Sequence, residues 1–443
     1  MTDNQRAGDP TPQPRSHPAR DHARSSGDHA PSRATPPSRA TPPSLGTPPS
    51  LGTPPSLGTP PSLGTPPSLG TPPSLVRVGS PDGVLAVVPH LLGFHPASSL
   101  VVLGISGRRS RIRLAFRYDL PDPPDPSLAA EIAGHATDVL TRQHIVTAII
   151  VGYGPGSLVT PLADLLRLML PGSGISIREL LRVESGRYWS YLCQDPACCP
   201  AEGVPFDAVA HPAARTLTQA GLAAYPDRAA LAGTLAALPG VAEPMRRATD
   251  RAVRRAEELL IAAGPRGGSI ARLLVDAGRS AVKDAIDSYR SGGEITDHDQ
   301  LAWLTVVLAD LRVRDDAWAR MDPEFHRDHQ RLWTDLVRHA QPDYVPAPAC
   351  LLAFTAWQSG QGALANAATE RALGADPGYS MALLLAEAVQ AGLPPSAARL
   401  PMTPEEVAAS YADTERAAAA AVRRGSGAPR RPGSRRASRR PAG

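Results

Sequence analysis

Long apolar runs and a leader-like N-terminus are both missing from this chain of 443 residues. No stretch of about eighteen consecutive apolar residues occurs, which argues against a membrane-spanning helix. The first residues, Met-Thr-Asp-Asn-Gln-Arg, continue into polar, proline-rich sequence instead of an apolar core with a cleavage site. We therefore expect a cytoplasmic location, where thiols are held in the reduced state.

Short motifs of several common enzyme classes are missing as well. The chain has no Gly-x-Ser-x-Gly nucleophile turn, no phosphate-binding P-loop and no His-Glu-x-x-His zinc motif. These absences count against common hydrolases and nucleoside triphosphatases without excluding an enzyme. Lysine is almost absent, because Lys283 is the single lysine among 46 basic residues. This bias is typical of GC-rich codon usage, so an arginine here is not by itself evidence of anion recognition.

Proline and glycine, by contrast, are abundant and unevenly distributed. The chain has 49 prolines and 38 glycines, too many for one compact core. Residues 35–74 contain seven copies of Thr-Pro-Pro-Ser at a spacing of six residues. Such a repeat buries too little apolar surface to offset chain entropy. We expect residues 1–75 to be disordered.

The net charge of +4 conceals an acidic centre and a basic tail. Residues 423–443 contain eight arginines and no acid, and residues 1–75 contain six arginines and four aspartates. Removing both segments from the total leaves a charge of −6 for residues 76–422. An acidic body argues against a nucleic-acid groove across the core. Any weak contact with nucleic acid or an anionic surface is expected through the 423–443 tail, whose other interpretation is a solubilising end.

The apolar pattern predicts a layered α/β domain with a mixed sheet over residues 76–206. Helices are predicted at 84–92, 128–142 and 158–170, and strands at 100–105, 112–118, 146–151, 175–177, 181–184 and 187–192. The first two strands should form an antiparallel hairpin. A right-handed crossover then makes strand 146–151 parallel to strand 112–118.

The remaining folded part is predicted to be helical over residues 207–395, with residues 396–422 forming a terminal helix or a linker. Helices are predicted at 245–263, 268–290, 298–313, 325–340 and 347–391. The last segment partly matches a tetratricopeptide repeat, at Leu352, Ala353, Ala365, Ala372 and Pro377. It is interpreted either as plain helix packing or as part of a protein-interaction scaffold.

Five separated motifs resemble one known family. They are Leu-Leu-Gly-Phe-His-Pro (91–96), Gly-Tyr-Gly (152–154), the aromatic and cysteine-rich segment 186–200, Val-Arg-Asp-Asp-Ala-Trp (313–318), and the segments 351–365 and 376–382. Together they resemble the actinobacterial family catalogued as domain of unknown function 4192, over about residues 76–395. The resemblance implies no activity, because none is assigned to that family.

The predicted topology brings several polar residues to one edge of the sheet. The hairpin register and the crossover place His95, Arg117, Asp119 and Tyr153 together, where ligands of open α/β sheets bind. In a small-anion site Arg117 would contact the anion, with or without catalysis. The candidate catalytic residues are His95, as the acid or base, Asp119 and Tyr153. The alternative is structural, with His95 packed in a turn and Arg117 paired with Asp119.

A glycine-rich turn, Gly152-Tyr-Gly154-Pro-Gly156-Ser157, follows the buried strand 146–151. Free N–H groups at a helix start attract anions, so Gly152 and Gly154 are candidate ligand-binding positions. The dinucleotide pattern would require a glycine where Ser157 stands. A plain strand-to-helix turn explains the same residues.

Three of the four cysteines, Cys193, Cys198 and Cys199, fall within seven residues. They directly follow strand 187–192, which is predicted to form a hairpin with strand 181–184. The Asp195-Pro196 turn should bring Cys193 close to at least one of the other two. Packed thiols, a redox pair and a metal site, with zinc as a candidate, all remain open. A metal would need a fourth ligand, and His211 or Asp207 is the nearest along the chain. Three functions are therefore considered: small-anion binding at the sheet edge, a scaffold role of the helical half, and thiol or metal chemistry.

Overall fold

The protein is described by a computed structural model over residues 80–107, 111–220, 222, 224–262, 270–393 and 402–425. The expected disorder of residues 1–75 and most of the 423–443 tail lie outside these ranges. Within them, no helix has both the length and the apolar character needed to cross a membrane.

A six-stranded mixed sheet forms the centre of the N-terminal part, as the sequence predicts. Its strands are β1 (Ser99–Ser106), β2 (Arg111–Asp119), β3 (Thr147–Tyr153), β4 (Ser176–Glu184), β5 (Arg187–Ser190) and β6 (Val204–Pro205). The order across the sheet is β2-β1-β3-β4-β5-β6, and only β3 and β4 pair in parallel. The two predicted segments 175–177 and 181–184 are one continuous strand, β4.

The position of β3 differs in one respect from the expectation. β2 and β3 run in the same direction, but β1 lies between them and pairs antiparallel with both. The residues of β1 and β3 are buried almost throughout, whereas β2 ends in the exposed Asp119. An apolar strand gains most from a central position covered on both faces, so β1 and β3 are adjacent and the more polar β2 takes the edge.

Helices cover both faces of this sheet. α1 (Pro81–Leu92) packs on one face, and α2 (Pro126–Arg142) and α3 (Gly156–Gly172) pack on the other. α1 begins at Pro81, three residues before the predicted start at residue 84, because proline fits the first helical position. Its last residue is Leu92, as predicted, and at Gly93 the backbone turns left-handed with a φ of 79°.

Two short helices that the sequence analysis did not identify follow the sheet. α4 (Pro212–Gln219) and α5 (Arg228–Gly233) pack on the α1 side. Ala213, Ala214 and Leu217 of α4 are buried against α1. The chain after residue 207 therefore first completes the α/β layers before it enters the helical region.

The C-terminal region consists of helices, as predicted. They are α6 (Ala242–Ala262), α7 (Ile270–Arg290), α8 (His298–Val307), α9 (Leu311–Ala319), α10 (His326–His339), α11 (Pro346–Gln358), α12 (Gly362–Ala375), α13 (Ser380–Gln390) and α14 (Pro404–Gly425). α11 is buried from Pro346 to Trp357. It is the central helix of this region and presents no face to a partner, so any interaction surface here lies on other helices.

Candidate functional site

The ends of three strands meet at one edge of the sheet. Ser99 opens β1 and pairs in register with Asp119 on one side and Tyr153 on the other. The Arg117 guanidinium donates to Ser99 Oγ over 2.7 Å and forms an ion pair with Asp119. The Tyr153 hydroxyl is buried and has no hydrogen-bond partner among the described residues. Burial raises the Tyr153 pKa far above its usual range, so this phenol stays protonated.

His95 lies apart from that group. Its side chain lines a cleft between α1 and α4 that it shares with His90, and neither Arg117 nor Asp119 is among the described residues that line it. Burial lowers the pKa of His95, and the nearby charge of His90 lowers it further. The structure thus brings Arg117, Asp119 and Tyr153 to one edge and places the His95 side chain elsewhere.

The glycines of the 152–156 turn meet close packing and turn geometry. A Cβ atom on Gly152 would lie 2.2 Å from a methyl group of Val159, so α3 crosses β3 too closely for any side chain there. Gly154 has a φ of 151° and its N–H donates to the Val183 carbonyl over 2.9 Å. These contacts account for both glycines without a ligand, and a phosphate role for them remains a prediction.

The three clustered cysteines lie on a loop shaped by Asp195. Its carboxylate accepts the N–H of Ala197 over 2.9 Å, and its carbonyl accepts the N–H groups of Cys198 and Cys199 over 3.1 and 2.7 Å. At the start of the loop, the Ser190 hydroxyl accepts the N–H of Cys193 over 3.2 Å. These bonds fold the Asp195-Pro196 segment into the predicted turn and direct the chain back on itself.

The far end of the loop is anchored by Trp189 on β5. The Trp189 indole N–H donates to the Ala201 carbonyl over 2.9 Å. Its other side stacks on the Arg182 guanidinium at 3.8 Å. Gly203 lies directly against the ring, where a Cβ atom would approach a ring carbon to 2.5 Å. The loop is therefore held to the sheet at both ends.

The three sulfur atoms converge as a result. The Sγ atoms of Cys193, Cys198 and Cys199 all lie within 4.8 Å of one another, and the three cysteines are not joined by disulfides. Cys198 is exposed and the other two are half-buried. The fourth cysteine, Cys350, is fully buried in the helical core. The proximity that the turn predicts is therefore present, at the solvent boundary.

The surroundings of the loop shift the thiol pKa values of Cys193 and Cys199 in opposite directions. The N–H of Asp195 donates to the Cys193 sulfur and lowers the Cys193 pKa, and hydrogen bonds from the other two thiols lower it further. Burial raises the pKa of Cys199 to about 12, and its hydrogen bonds to Cys193 and Cys198 act in the same direction. The Cys193 thiol therefore loses its proton more readily than the Cys199 thiol does.

Neither of the two fourth ligands suggested by the sequence belongs to the cluster. His211 lies at the start of α4, where its Nδ1 accepts the Ala213 N–H over 3.1 Å and its Nε2 lies 3.6 Å from Asp82. The Asp207 carboxylate accepts the N–H groups of Val209 and Ala210. Both side chains are held by local backbone capping, which nearness along the chain could not reveal.

Two titratable side chains on the strands that precede the cysteine loop escaped the sequence analysis. Tyr188 on β5 has its pKa raised by burial, and the charges of Asp82, of Cys199 and Cys198 and of Glu179 raise it further. Glu179 on β4 is half-buried, and burial raises its pKa. The alternation of β4 and β5 about the Ser185-Gly186 turn was the signal that could have placed these two side chains on the same face of the sheet.

Other candidate ligands in the helical region are engaged in structural bonds. Asp297 caps α8 by accepting the N–H groups of Asp299 and Gln300. His329 on α10 is buried, and its Nε2 accepts the Asp322 N–H over 3.2 Å. Among the described residues, only the three loop cysteines bring three potential metal ligands together.

Comparison with known proteins gives one match. A family model described as "Domain of unknown function (DUF4192)" matches residues 81–396. No curated protein and no solved structure matches the chain. The matched span covers more than half of the sequence and includes the sheet, the cysteine loop and the helices from α4 to α13, while α14 follows it. The chain therefore belongs to the DUF4192 family.

Proposed function

We propose that the protein binds a soft divalent metal ion, best matched by zinc, through Cys193, Cys198 and Cys199. The observation that carries the proposal is the convergence of three Sγ atoms within 4.8 Å. Zinc–sulfur bonds of about 2.3 Å in a tetrahedron place sulfurs about 3.8 Å apart. The loop thus needs to contract by only about 1 Å to hold the ion.

Charge and anchoring support the same role. Thiolates are the ligands that zinc prefers, and the lowered pKa of Cys193 makes its thiol easier to deprotonate. Binding would release the protons that the thiols carry. The bonds of Ser190 and Trp189 fix the two ends of the loop and the bonds of Asp195 fix its turn, which reduces the chain entropy lost when the metal binds.

Three protein ligands leave one tetrahedral position for water or another molecule. The exposure of Cys198 keeps that position open to solvent. The charges of Cys198 and Cys199 act on Tyr188, so its phenol is the titratable side chain of β5 that a metal at the loop would affect. We infer an open site, which can present the metal to a second molecule, in contrast to a closed four-cysteine site.

The test is the metal content of the full chain purified without chelators, measured by elemental analysis. We expect about one zinc per chain, and loss of it in Cys193→Ser and Cys199→Ser. Cys350→Ala is the matched control, because it removes the one cysteine outside the loop and should keep the zinc. Cobalt added to the metal-free chain should give thiolate-to-cobalt absorption that Cys193→Ser abolishes.

Two outcomes would overturn the proposal in favour of its alternatives. An intact mass lower by two hydrogens in the chain as purified, with no bound metal, would indicate a disulfide and a redox role. Four free thiols that react with a thiol reagent at the same rate with and without zinc would indicate a packed turn.

A second proposal is a small-anion site at the sheet edge, supported by Arg117, the cation at that edge. Its guanidinium is bound to Ser99 and Asp119, so an anion would have to replace the Asp119 carboxylate. Asp119→Asn should therefore strengthen binding of inorganic phosphate in a calorimetric titration. Absence of phosphate binding by both the wild-type chain and this variant would contradict the proposal.

A further inference from the structure

We infer that the cleft between α1 and α4 binds a small organic molecule that carries an oxyanion, a phosphate or a carboxylate, on an apolar body. The cleft has a volume of about 420 Å³, within the range of small-molecule sites. It is separate from the cysteine loop and from the Arg117 edge, and it contains the histidine that neither of those sites uses.

Among the described residues that line this cleft, the polar ones are His90, His95, Arg215, Thr218 and Gln219, and none is a carboxylate. The Thr218 hydroxyl donates to the Ala214 carbonyl over 3.0 Å, and Arg215 Nη1 donates to the Ala210 carbonyl over 2.7 Å, so Arg215 offers a ligand its remaining N–H groups. The surrounding chain, residues 76–422, has a net charge of −6. Within this acidic body the exposed Arg215 supplies a permanent positive charge at the cleft, and an oxyanion is the complement of that charge.

Both histidines line the cleft. His90 donates its Nδ1 proton to the Leu222 carbonyl over 2.6 Å, so its Nε2 is the ring nitrogen left for a ligand. This nitrogen accepts a hydrogen bond in the neutral ring and donates one when the ring carries a second proton. An oxyanion in the cleft favours the protonated form of a ring that it contacts, because the added N–H group donates to it.

The nearest carboxylates do not neutralise the cleft. Asp82 lies 3.6 Å from His211 at the opposite ends of α1 and α4, and Asp207 is bound to backbone N–H groups. Both helices end at the cleft, so their carbonyl ends oppose an anion. This unfavourable effect of the helix ends is weaker than one charge-assisted hydrogen bond from Arg215. The cleft as a whole therefore favours an anion.

The rest of the lining is small and apolar. It consists of Ala86, Ala208, Val209, Ala214 and Ala224. Small side chains here leave the volume open, and they provide a wall for the carbon skeleton of a ligand but no partner for a second charge. This combination favours a molecule with one anionic end over a free inorganic ion.

The test compares three probes that share a ring: phenyl phosphate, benzoate and the uncharged benzyl alcohol. Each is titrated into the full chain near neutral pH, with calorimetry for affinity and the histidine ring signals in NMR for location. We expect the two anions to bind and to shift two histidine signals, those missing from His90→Gln and His95→Gln. Arg215→Gln should weaken the anions roughly tenfold or more. Arg167→Gln on α3, an exposed arginine paired with Asp164, is the control and should bind as the wild type does.

Three results would overturn the inference. They are equal binding of benzyl alcohol and the anions, unchanged anion binding in Arg215→Gln, and no binding of any probe. Because Arg215→Gln leaves an exposed helix position polar, its fold is checked by thermal melting. His95→Gln, whose loss of affinity should be independent of Arg215, serves as the second variant.

Discussion

The stability of the helical region should depend on pH through His329. This side chain is only 1% exposed and its ring stacks parallel to that of Trp333. Its Nε2 accepts the Asp322 N–H, so a proton added there would meet another N–H. Burial lowers the His329 pKa to about 4, and the charge of Arg290 acts in the same direction.

The sign and size of the effect follow from this shift. In the unfolded chain His329 titrates near 6.5, so below that pH the unfolded state binds a proton that the folded state refuses. The contribution of the neutral ring to stability is complete above pH 6.5 and is lost as pH falls from 6.5 toward 4. A shift of about 2.5 pH units corresponds to about 3 kcal/mol, of which about 2 kcal/mol is lost between about pH 7.5 and pH 5.

Urea denaturation of the wild type, His329→Gln and His326→Gln across this range measures the effect. The wild type and His326→Gln, whose ring is more exposed on the same helix, should lose about 2 kcal/mol more than His329→Gln between about pH 7.5 and pH 5. If His329→Gln does not fold, an NMR titration of the His329 ring in the wild type decides instead. Equal pH dependence of stability in all three proteins, or a His329 ring that titrates near 6.5, would contradict this prediction.

Two further substitutions test the packing described above. Gly203→Ala forces a Cβ atom against Trp189 at a left-handed φ of 80°. It should lower the free energy of unfolding in urea by about 1–3 kcal/mol and weaken zinc retention. Zinc retention equal to that of the wild type would show that zinc binding does not need this anchor of the loop. Asp316→Asn removes the buried carboxylate that pairs with the Arg320 guanidinium, so it should lower the free energy of unfolding by about 3 kcal/mol. The control, Asp287→Asn, removes an exposed ion pair within one helix and should lower it by less than about 1 kcal/mol. Equal losses in these two variants would contradict the assignment of Asp316 as a buried charge anchor.

Much of the fold could be predicted from the sequence because its signals are local. The β1–β2 hairpin, the end of α1 at Gly93 and the helical C-terminal region follow from apolar periodicity and turn residues. The place of β3 next to β1 did not follow, because strand order depends on which strand gains most from burial on both faces. The short α4 was missed because its few apolar residues acquire meaning only when they pack on α1.

In the candidate site, too, the local features were predictable and the long-range contacts were not. Convergence of Cys193 with Cys198 and Cys199 was predictable, since one turn at Asp195 controls it. The position of the His211 side chain was not predicted, because its contact with Asp82 joins two segments that are far apart in sequence. The surroundings of the His95 side chain likewise depend on the position of α4, which no pattern around residue 95 reveals.

The proposed metal site requires Cys193, Cys198 and Cys199 to hold one metal ion together. X-ray absorption at the zinc edge of the full chain, loaded with one equivalent of zinc, counts the sulfur ligands of the ion. We predict about three sulfur atoms at about 2.3 Å and one lighter atom, and a smaller sulfur shell in Cys198→Ser. A zinc spectrum fitted by nitrogen and oxygen alone, or unchanged in Cys198→Ser, would contradict it.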